Sequence, residues 1–561
     1  MNATPISVQD ALRGKHILLT GASGFVGKVW LAMTLERVEE IGKITILLRK
    51  KGLRNAFSRF ERMVKQSHVF QRLHEAHGPD FGAWIARRVE IIEGDISLPG
   101  LGLEPEVATR LRTSLDVFIN CAGLVDFDPD LQDALQSNVH GALEAARFTA
   151  SCDHARLLHV STCFVAGKSE GTIEEVIVHD RTPLGMPLDP REEFQKVTEA
   201  LKAINEALDT PALSDEIDDA VQSQIAEQEL DKNNAALVHN LTRKERSRHF
   251  HRARREEGRR RAEALGYPNI YTYTKHLAEA LLATEPGMPE FTIFRPAIVE
   301  SAVEFPFPGW TEGFNTSGPL AYLLGTWFRQ LPARKEQPFD VIPVDQACNA
   351  MTLTCAALAE GRHAPVYHCG SSDRNRLTIG RALELTQLAH RMHLQREGSS
   401  SLERTFLSRW DAVVEEGPHL LSIPNLRRAA KGVGNLLKRV PRSAPLGAQA
   451  RLAADFVTGA DKQLGGVERM LDAFRPFIRD FRQVFVCRAI DAHPAVEPEF
   501  AFAPERIRWL HYWTEIHMPG LQKWSFPVYE GRAVPNFRPA HPFHIPRDVD
   551  TSAIERKREA S

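Results

Sequence analysis

Short apolar runs alternate with longer mixed stretches over the first 170 residues. The runs are Ile17-Leu18-Leu19, Ile44 to Leu48, Val89 to Ile92, Val117-Phe118-Ile119 and Leu157 to Val160. They lack polar alternation, which predicts strands buried on both faces. Helix-length stretches lie between them, for example Val26 to Ile41 and Asp130 to Ala150. Strand and helix in alternation predict βαβ units, and so a Rossmann-type, doubly wound α/β sheet of parallel strands.

The pattern changes near residue 190. Glu192 to Asp231 is polar and acid-rich, and Thr242 to Arg261 is strongly basic. The stretch 190–265 reads as a helical insertion, with two oppositely charged helices facing each other and solvent. Phe291 to Phe294 and Val341 to Val344 then read as two more strands. Beyond about 376 the chain reads as helical with Lys/Arg-rich faces, interrupted by a turn at Pro441 to Pro445. From Pro542 it reads as a loose tail. The division expected is 1–375 for the α/β domain, 376–541 for a mostly helical C-terminal domain and 542–561 for the tail.

Composition changes this picture little. At about 150 residues per domain the 561 residues allow three or four domains, where the pattern gives two. Hydrophobic residues at 43% and charged residues at 25% are ordinary for a soluble globular protein. A net charge of −2 makes no case for nucleic acid. Seven cysteines, an odd number with no CxxC pair, predict reduced thiols in a cytosol rather than a disulfide framework. The histidines show no metal-binding spacing either, so no metal is expected. No run of 18 apolar residues predicts a membrane-spanning helix. The first residues lack the apolar core of a signal peptide. A cytoplasmic protein is expected, with attachment to a membrane surface left open.

The first candidate chemistry follows the first strand. Gly21-Ala22-Ser23-Gly24-Phe25-Val26-Gly27 is a G-x-x-G-x-x-G turn leading into a helix. Gly21 permits the tight turn, Gly24 lets a pyrophosphate approach, and Gly27 lets the helix pack on the sheet. The helix N-terminus then favours an anion. The second strand ends at Arg49-Lys50-Lys51, where NAD enzymes carry an acid. Arg49 instead offers a fork to a 2′-phosphate, which favours NADPH. Asp95, followed by Ile96, is placed to meet the adenine. Asn120, Ala122 and Gly123 let backbone pass close to the cofactor's riboses.

Val160-Ser161-Thr162 ends the fifth strand, and Tyr271 and Lys275 stand four apart, one helical turn on one face. An ammonium there lowers a phenol's pKa and can hold the nicotinamide ribose. The phenol can then exchange a proton with a carbonyl oxygen that Thr162 also holds. Ser161 is the weaker choice by its spacing to Gly167. Cys163 has no base or cation placed to activate it, so it reads as a small strand-end residue rather than a nucleophile.

Together TGASGFVG, NCAGLVDF, VSTCFVAG and YTYTK resemble an extended short-chain dehydrogenase/reductase. Further segments narrow the resemblance to the fatty acyl-CoA reductase family. They are Phe294 to Val299, Phe307 to Trp310, Asn315 with Gly318-Pro319, Asp340 to Asp345, Val366 to Ser372, and Trp513 with His517 to Lys523. The resemblance covers about 15–375 well and about 480–530 more weakly; the long insertion and 376–480 depart from it. It implies NADPH-dependent reduction of a long-chain fatty acyl-CoA through a hemithioacetal and a bound aldehyde to a primary alcohol. It also implies Tyr271 as proton donor, Lys275 as its tuner, Thr162 on the carbonyl oxygen, and Pro296 and Ile298 beside the nicotinamide. An enzyme that releases aldehyde or takes acyl carrier protein stays open, as does a non-catalytic NADPH-binding scaffold for acyl chains. A nucleotide-sugar epimerase is disfavoured by the Pro-Gly-Trp segment. The basic block at 242–261 offers a second reading, a surface for CoA phosphates or anionic lipid. Helices after 376, such as Leu452 to Val457 and Met470 to Phe474, are candidate walls of an acyl channel.

Overall fold

The strands, in chain order, are β1 (His16–Thr20), β2 (Lys43–Leu48), β3 (Val89–Glu93), β4 (Val117–Asn120), β5 (Arg156–Val160), β6 (Gly171–Ile173), β7 (Phe291–Pro296), β8 (Ile298–Glu300), β9 (Gln330–Leu331), β10 (Val341–Pro343), β11 (Val366–Cys369), β12 (Val413–Val414) and β13 (Gln483–Phe485). The computed structural model describes residues 4–546 except 208–210, 315, 327, 329, 397–404, 406–408, 410, 416, 418–422 and 441–446. Asn315, the turn expected at Pro441 to Pro445 and the tail from 547 onward therefore lie outside the described residues.

Among the described residues seven strands form one parallel sheet in the order β11-β7-β5-β4-β1-β2-β3. The chain winds outward from β1 to β3, then returns to β4 and winds the other way. The reversal leaves a crevice between β1 and β4 at the carboxyl ends of the strands, where open α/β sheets bind ligands. Thr20 and Asn120 are register partners at that edge. Every residue of β1 and β4 is buried, which accounts for their unbroken apolar runs. β10, expected as part of the α/β pattern, pairs instead with β8 outside the main sheet.

The helices that matter for the site are α1 (Phe25–Arg37), α2 (Pro190–Ala207), α3 (Pro211–Glu227), α4 (Ala235–Leu265), α5 (Ile270–Thr284), α6 (Val344–Ala359), α7 (Ile423–Lys438) and α8 (Gly447–Arg475). α1 starts at Gly24 and is buried from Gly27 to Leu35, packed between the sheet and α6. The insertion is three helices, α2 to α4, rather than two. Much of the basic charge on α4 is met by the insertion's own acids and by the loop after β4. Arg259 pairs with Asp128, and Arg254 and His251 pair with Asp130.

The boundary expected at 375/376 does not separate two cores. One cluster joins Leu320, Phe339 and Val341 to Leu385, Leu471, Ile478, Trp513 and Leu521. β13 pairs with β6, and Ala495 bridges to Ile6. The helical run from Trp509 to Tyr529, with π turns at Tyr512–His517 and Leu521–Ser525, packs on the loop after β8. There Gly520 crosses Gly309 so closely that a Cβ on Gly520 would strike the Gly309 carbonyl. The loose tail expected from 542 is held at its start: Phe543 packs on His74 and Phe81, and Ile545 is buried.

Candidate active site

Gly21 sits at φ +75°, and a Cβ there would lie 2.5 Å from the Cys121 carbonyl carbon, so β1 and β4 can close only with glycine. A Cβ on Gly27 would strike the Gly21 carbonyl, which brings α1 hard against the turn. Thr20 Oγ1 donates to Asn120 Oδ1 at 2.8 Å and accepts from the Ala122 amide at 3.3 Å. Asn120 also meets His159 at 3.3 Å, so its buried side chain ties strands together and leaves only its backbone for a ligand. Ile96 likewise is core, packed on Gly141. Ser23 is exposed at the mouth of a cleft of about 440 Å³, lined also by Lys28, Lys51, Arg54, Arg59 and Arg62. Arg49 stands beside it, 68% exposed and 3.7 Å from Asp95, whose carboxylate also accepts from the Ser97 amide and hydroxyl. A glycine cradle opening on a basic cleft fits the phosphates of a nicotinamide dinucleotide. Phe25 and Val26 turn inward instead: Phe25 stacks on Trp310 at 5.3 Å, and Val26 packs on the core. Lys28 pairs with Glu312 at 2.5 Å, so the Pro-Gly-Trp segment is clamped onto the turn.

Across the crevice, α5 begins at Asn269, whose side chain caps the Thr272 amide at 2.9 Å. This start sets Tyr271 and Lys275 facing β5. Lys275 Nζ donates to the Val160 carbonyl at 2.8 Å and is 3% exposed. Burial pulls its pKa down to about 8. A Cβ on Gly123 would lie 3.0 Å from Nζ, so Gly123 leaves the ammonium its room. Burial pushes the Tyr271 phenol well above its ordinary range, opposed by its hydrogen bond with Thr162. The expected lowering of this phenol is therefore reversed, and burial holds Tyr271 protonated. Thr162 is the hydroxyl brought to Tyr271, whereas the buried Ser161 hydroxyl has no hydrogen-bond partner among the described residues. Cys163 donates to the Arg295 carbonyl at 2.9 Å, and burial holds its thiol far above its ordinary value. It is no poised nucleophile.

Several groups that place these side chains carried no sequence signal. Asn138, on a π turn at Leu135–His140, accepts from the Leu124 amide and donates to Thr274 at 3.0 Å, fixing the loop after β4 to α5. Glu279, one turn beyond Lys275, forms a buried pair with Arg295 of β7 through Nε at 3.0 Å and through a second, shorter contact. Arg295 thus faces α5, while Pro296, buried, and Ile298, half-buried, line the end of the sheet beside it. Tyr273 donates to Glu193 of α2 at 2.6 Å, and Arg261 of α4 joins the same carboxylate. The insertion therefore braces the helix that carries Tyr271 and Lys275. Phe127 lies 6.5 Å from the Tyr271 ring and packs on Phe474 and Phe477, while Phe164 packs on Phe477 and Phe485. An aromatic wall, Phe127 backed by Phe474 and Phe477 of the C-terminal half, thus flanks the tyrosine. Of the expected channel walls, Met470 to Phe474 reaches this place, and Leu452 and Phe456 face solvent.

Known proteins resemble the chain over this same frame. It is 27% identical over 529 residues to the probable fatty acyl-CoA reductase 5 of Arabidopsis thaliana, covering 91% of this chain and 97% of that one. It is 29% identical over 391 residues to the alcohol-forming fatty acyl-CoA reductase of Simmondsia chinensis, covering 69% and 72%. Among solved structures, the terminal R domain of the myxalamid PKS-NRPS pathway aligns with a TM-score of 0.41 and 18% identity, over 71% of this chain and 78% of that one. A family model for an NAD-binding domain, described as male sterility protein, matches residues 19–351, which hold the glycine turn, Thr162, Tyr271 and Lys275; the chain belongs to that family.

Proposed function

We propose that this protein reduces long-chain fatty acyl-CoA with NADPH, releases CoA and carries the aldehyde on to a fatty alcohol. The observation that carries the reading is the meeting of Thr162, Tyr271 and Lys275 at the sheet's crevice beside the aromatic wall. The names of its relatives agree with it, one of them alcohol-forming. The glycine cradle and Lys275 would hold the dinucleotide, with Arg49, Lys51, Arg54 and Arg59 near its 2′-phosphate. NADPH bound there supplies a hydride to the acyl carbon.

The chain's own groups handle the oxygen and the proton. Thr162 holds the thioester carbonyl oxygen by a hydrogen bond. Tyr271, protonated because it is buried, donates to that oxygen as charge develops on it. The carbonyl becomes a hemithioacetal hydroxyl. Its collapse breaks the C–S bond, the thiol of CoA leaves with a proton, and an aldehyde remains. A second round at the same oxygen gives the alcohol. Phe127, Phe474 and Phe477 keep water from the reacting carbon and cover the start of the acyl chain.

The test is turnover of palmitoyl-CoA with NADPH, following NADPH loss, free thiol and products by gas chromatography. Two NADPH consumed per CoA released, with hexadecanol as product, is the expected result. No NADPH loss would sink the reductase reading, and accumulated aldehyde at one NADPH per CoA would sink the alcohol step. Tyr271→Phe should lose roughly 10²–10⁴ in rate while still binding NADPH; turnover like that of the unaltered protein would remove Tyr271 from the mechanism.

A further inference from the structure

α7 and α8 form an antiparallel hairpin. Gly434 lies against Val457, and Arg427 pairs with Asp461 at 3.0 Å and with Glu468. Away from that seam the hairpin carries exposed apolar residues. On α7, Leu426, Ala429, Val433 and Leu436 fall at i, i+3, i+7 and i+10, one stripe of helix surface, and all four are exposed. On α8, Leu452 and Phe456 are one turn apart and 72% and 79% exposed. Leu436, Leu452 and Phe456 all lie on the connection side of the Gly434–Val457 contact or next to it. Scattered apolar residues on a surface are ordinary, but a four-residue stripe on one helix with a further exposed pair on the next is not.

The charge around these residues is mostly positive, with exposed Asp455 beside Phe456 as the acid among them. In a chain of net charge −2, no Asp or Glu occurs between Glu416 and Asp455. Arg428, Lys431, Arg439 and Arg451 are exposed, and no ion pair holds them among the described residues. Helices that lie in a membrane interface combine these same two features. A nucleic acid would meet the cations and leave the apolar stripe in water. An apolar groove of a protein would cover the stripe and strand the cations.

We propose that this hairpin docks on an anionic lipid surface. Leu436, Leu452 and Phe456 enter the headgroup boundary, and Arg428, Lys431, Arg439 and Arg451 meet lipid phosphates. α8 then leads inward. From Phe456 to Phe474 it spans about 27 Å at 1.5 Å per residue, and Phe474 packs on Phe127 beside Tyr271. That last consequence, a bilayer at one end of α8 and the acyl site at the other, rests on the proposed acyl substrate. The docking itself does not.

The experiment is co-sedimentation of the full chain with phosphatidylcholine vesicles, with and without phosphatidylglycerol, in the absence of NADPH and acyl-CoA. Failure here is thus distinct from failure of the reductase reading. Binding to the anionic vesicles, weakened by salt, is expected. Leu452→Asp with Phe456→Asp should lower partitioning about tenfold or more. Arg428→Gln and Lys431→Gln should each lower it roughly fivefold. Thermal melting and NADPH oxidation with a soluble short-chain acyl-CoA should stay unchanged in these variants. Sedimentation with neither vesicle, or undiminished sedimentation of the double aspartate variant, would overturn the proposal. Retention on an RNA homopolymer that survives the aspartate substitutions would overturn it in favour of a polyanion partner.

Discussion

Lys275 holds its charge in an expensive place. Its ammonium is buried, and one carbonyl, that of Val160, accepts from it. Burial brings its pKa to about 8, so the charged form dominates below that pH and is lost above it. Tyr271 moves the other way and keeps its proton through the same range. The kcat/KM for the dinucleotide reports the enzyme before the cofactor binds. It is therefore expected to fall as pH rises through about 8, while Lys275→Arg moves that limb to higher pH. A profile flat from neutral to strongly alkaline pH would contradict the assignment. Arg49 is the other residue with a test of its own. It is mostly exposed and loosely paired with Asp95, so a bond from it to the 2′-phosphate of the proposed NADPH would be partly screened. Arg49→Ala should lower the preference for NADPH over NADH about tenfold, with Arg54 and Arg59 keeping part of it. An unchanged ratio of kcat/KM for the two cofactors would show that these neighbours read the phosphate alone.

At the scale of elements, α5 is the part that everything else positions. Arg295 pins it to β7 through Glu279, Glu193 pins it to α2, and Asn138 pins it to the loop after β4. Glu279→Gln leaves the Arg295 guanidinium buried and uncompensated, which costs about 3–5 kcal/mol. The denaturant midpoint should drop accordingly, and Glu279→Leu with Arg295→Met should recover much of the loss. Equal destabilisation of the single and double variants would show that the pair is not the source. This pairing also marks where the sequence stopped being readable. The glycine turn and the Tyr271–Lys275 spacing are local: a positive φ, a close backbone pass and one helical turn each need particular residues a few positions apart. β1 to β5 and the bounds of the insertion were legible for the same reason, because apolar runs and charge blocks are local patterns. Glu279 and Arg295 are adjacent only once β7 lies beside α5, and Glu193 meets Tyr273 from a helix 80 residues away. A π turn has no residue signature, so Asn138 was silent. The sign of the Tyr271 shift depends on how deeply α5 is packed, which spacing does not report.

At the scale of the molecule, the C-terminal half is wound into the α/β body rather than appended to it. β13 completes a pair with β6, and Glu175 accepts from the amides of His368, Arg488 and Ala489, joining three separate segments. Buried His517 bridges the hydroxyls of Ser301 and Ser317 at 3.0 Å each, and burial keeps its ring neutral, near a pKa of 3. A fragment ending near 376 strips β13 from β6, two of the three donors from Glu175 and His517 from Ser301 and Ser317, so it should fail to fold. A soluble, cooperatively melting fragment would contradict this reading. Chain-length selectivity therefore has to be tested in the intact protein, at Phe474. That ring is half-buried, packs on Phe127 and lies at the inner end of α8. If an acyl chain leaves the Tyr271 site along this wall, Phe474→Ala removes apolar surface worth about 1–2 kcal/mol from its contact. The kcat/KM for palmitoyl-CoA should then fall roughly five- to thirtyfold. A short acyl-CoA that ends before Phe474 should lose less than twofold. Equal losses for both substrates would mean that Phe474 only supports the fold around Phe127, and that the chain leaves the site by another route.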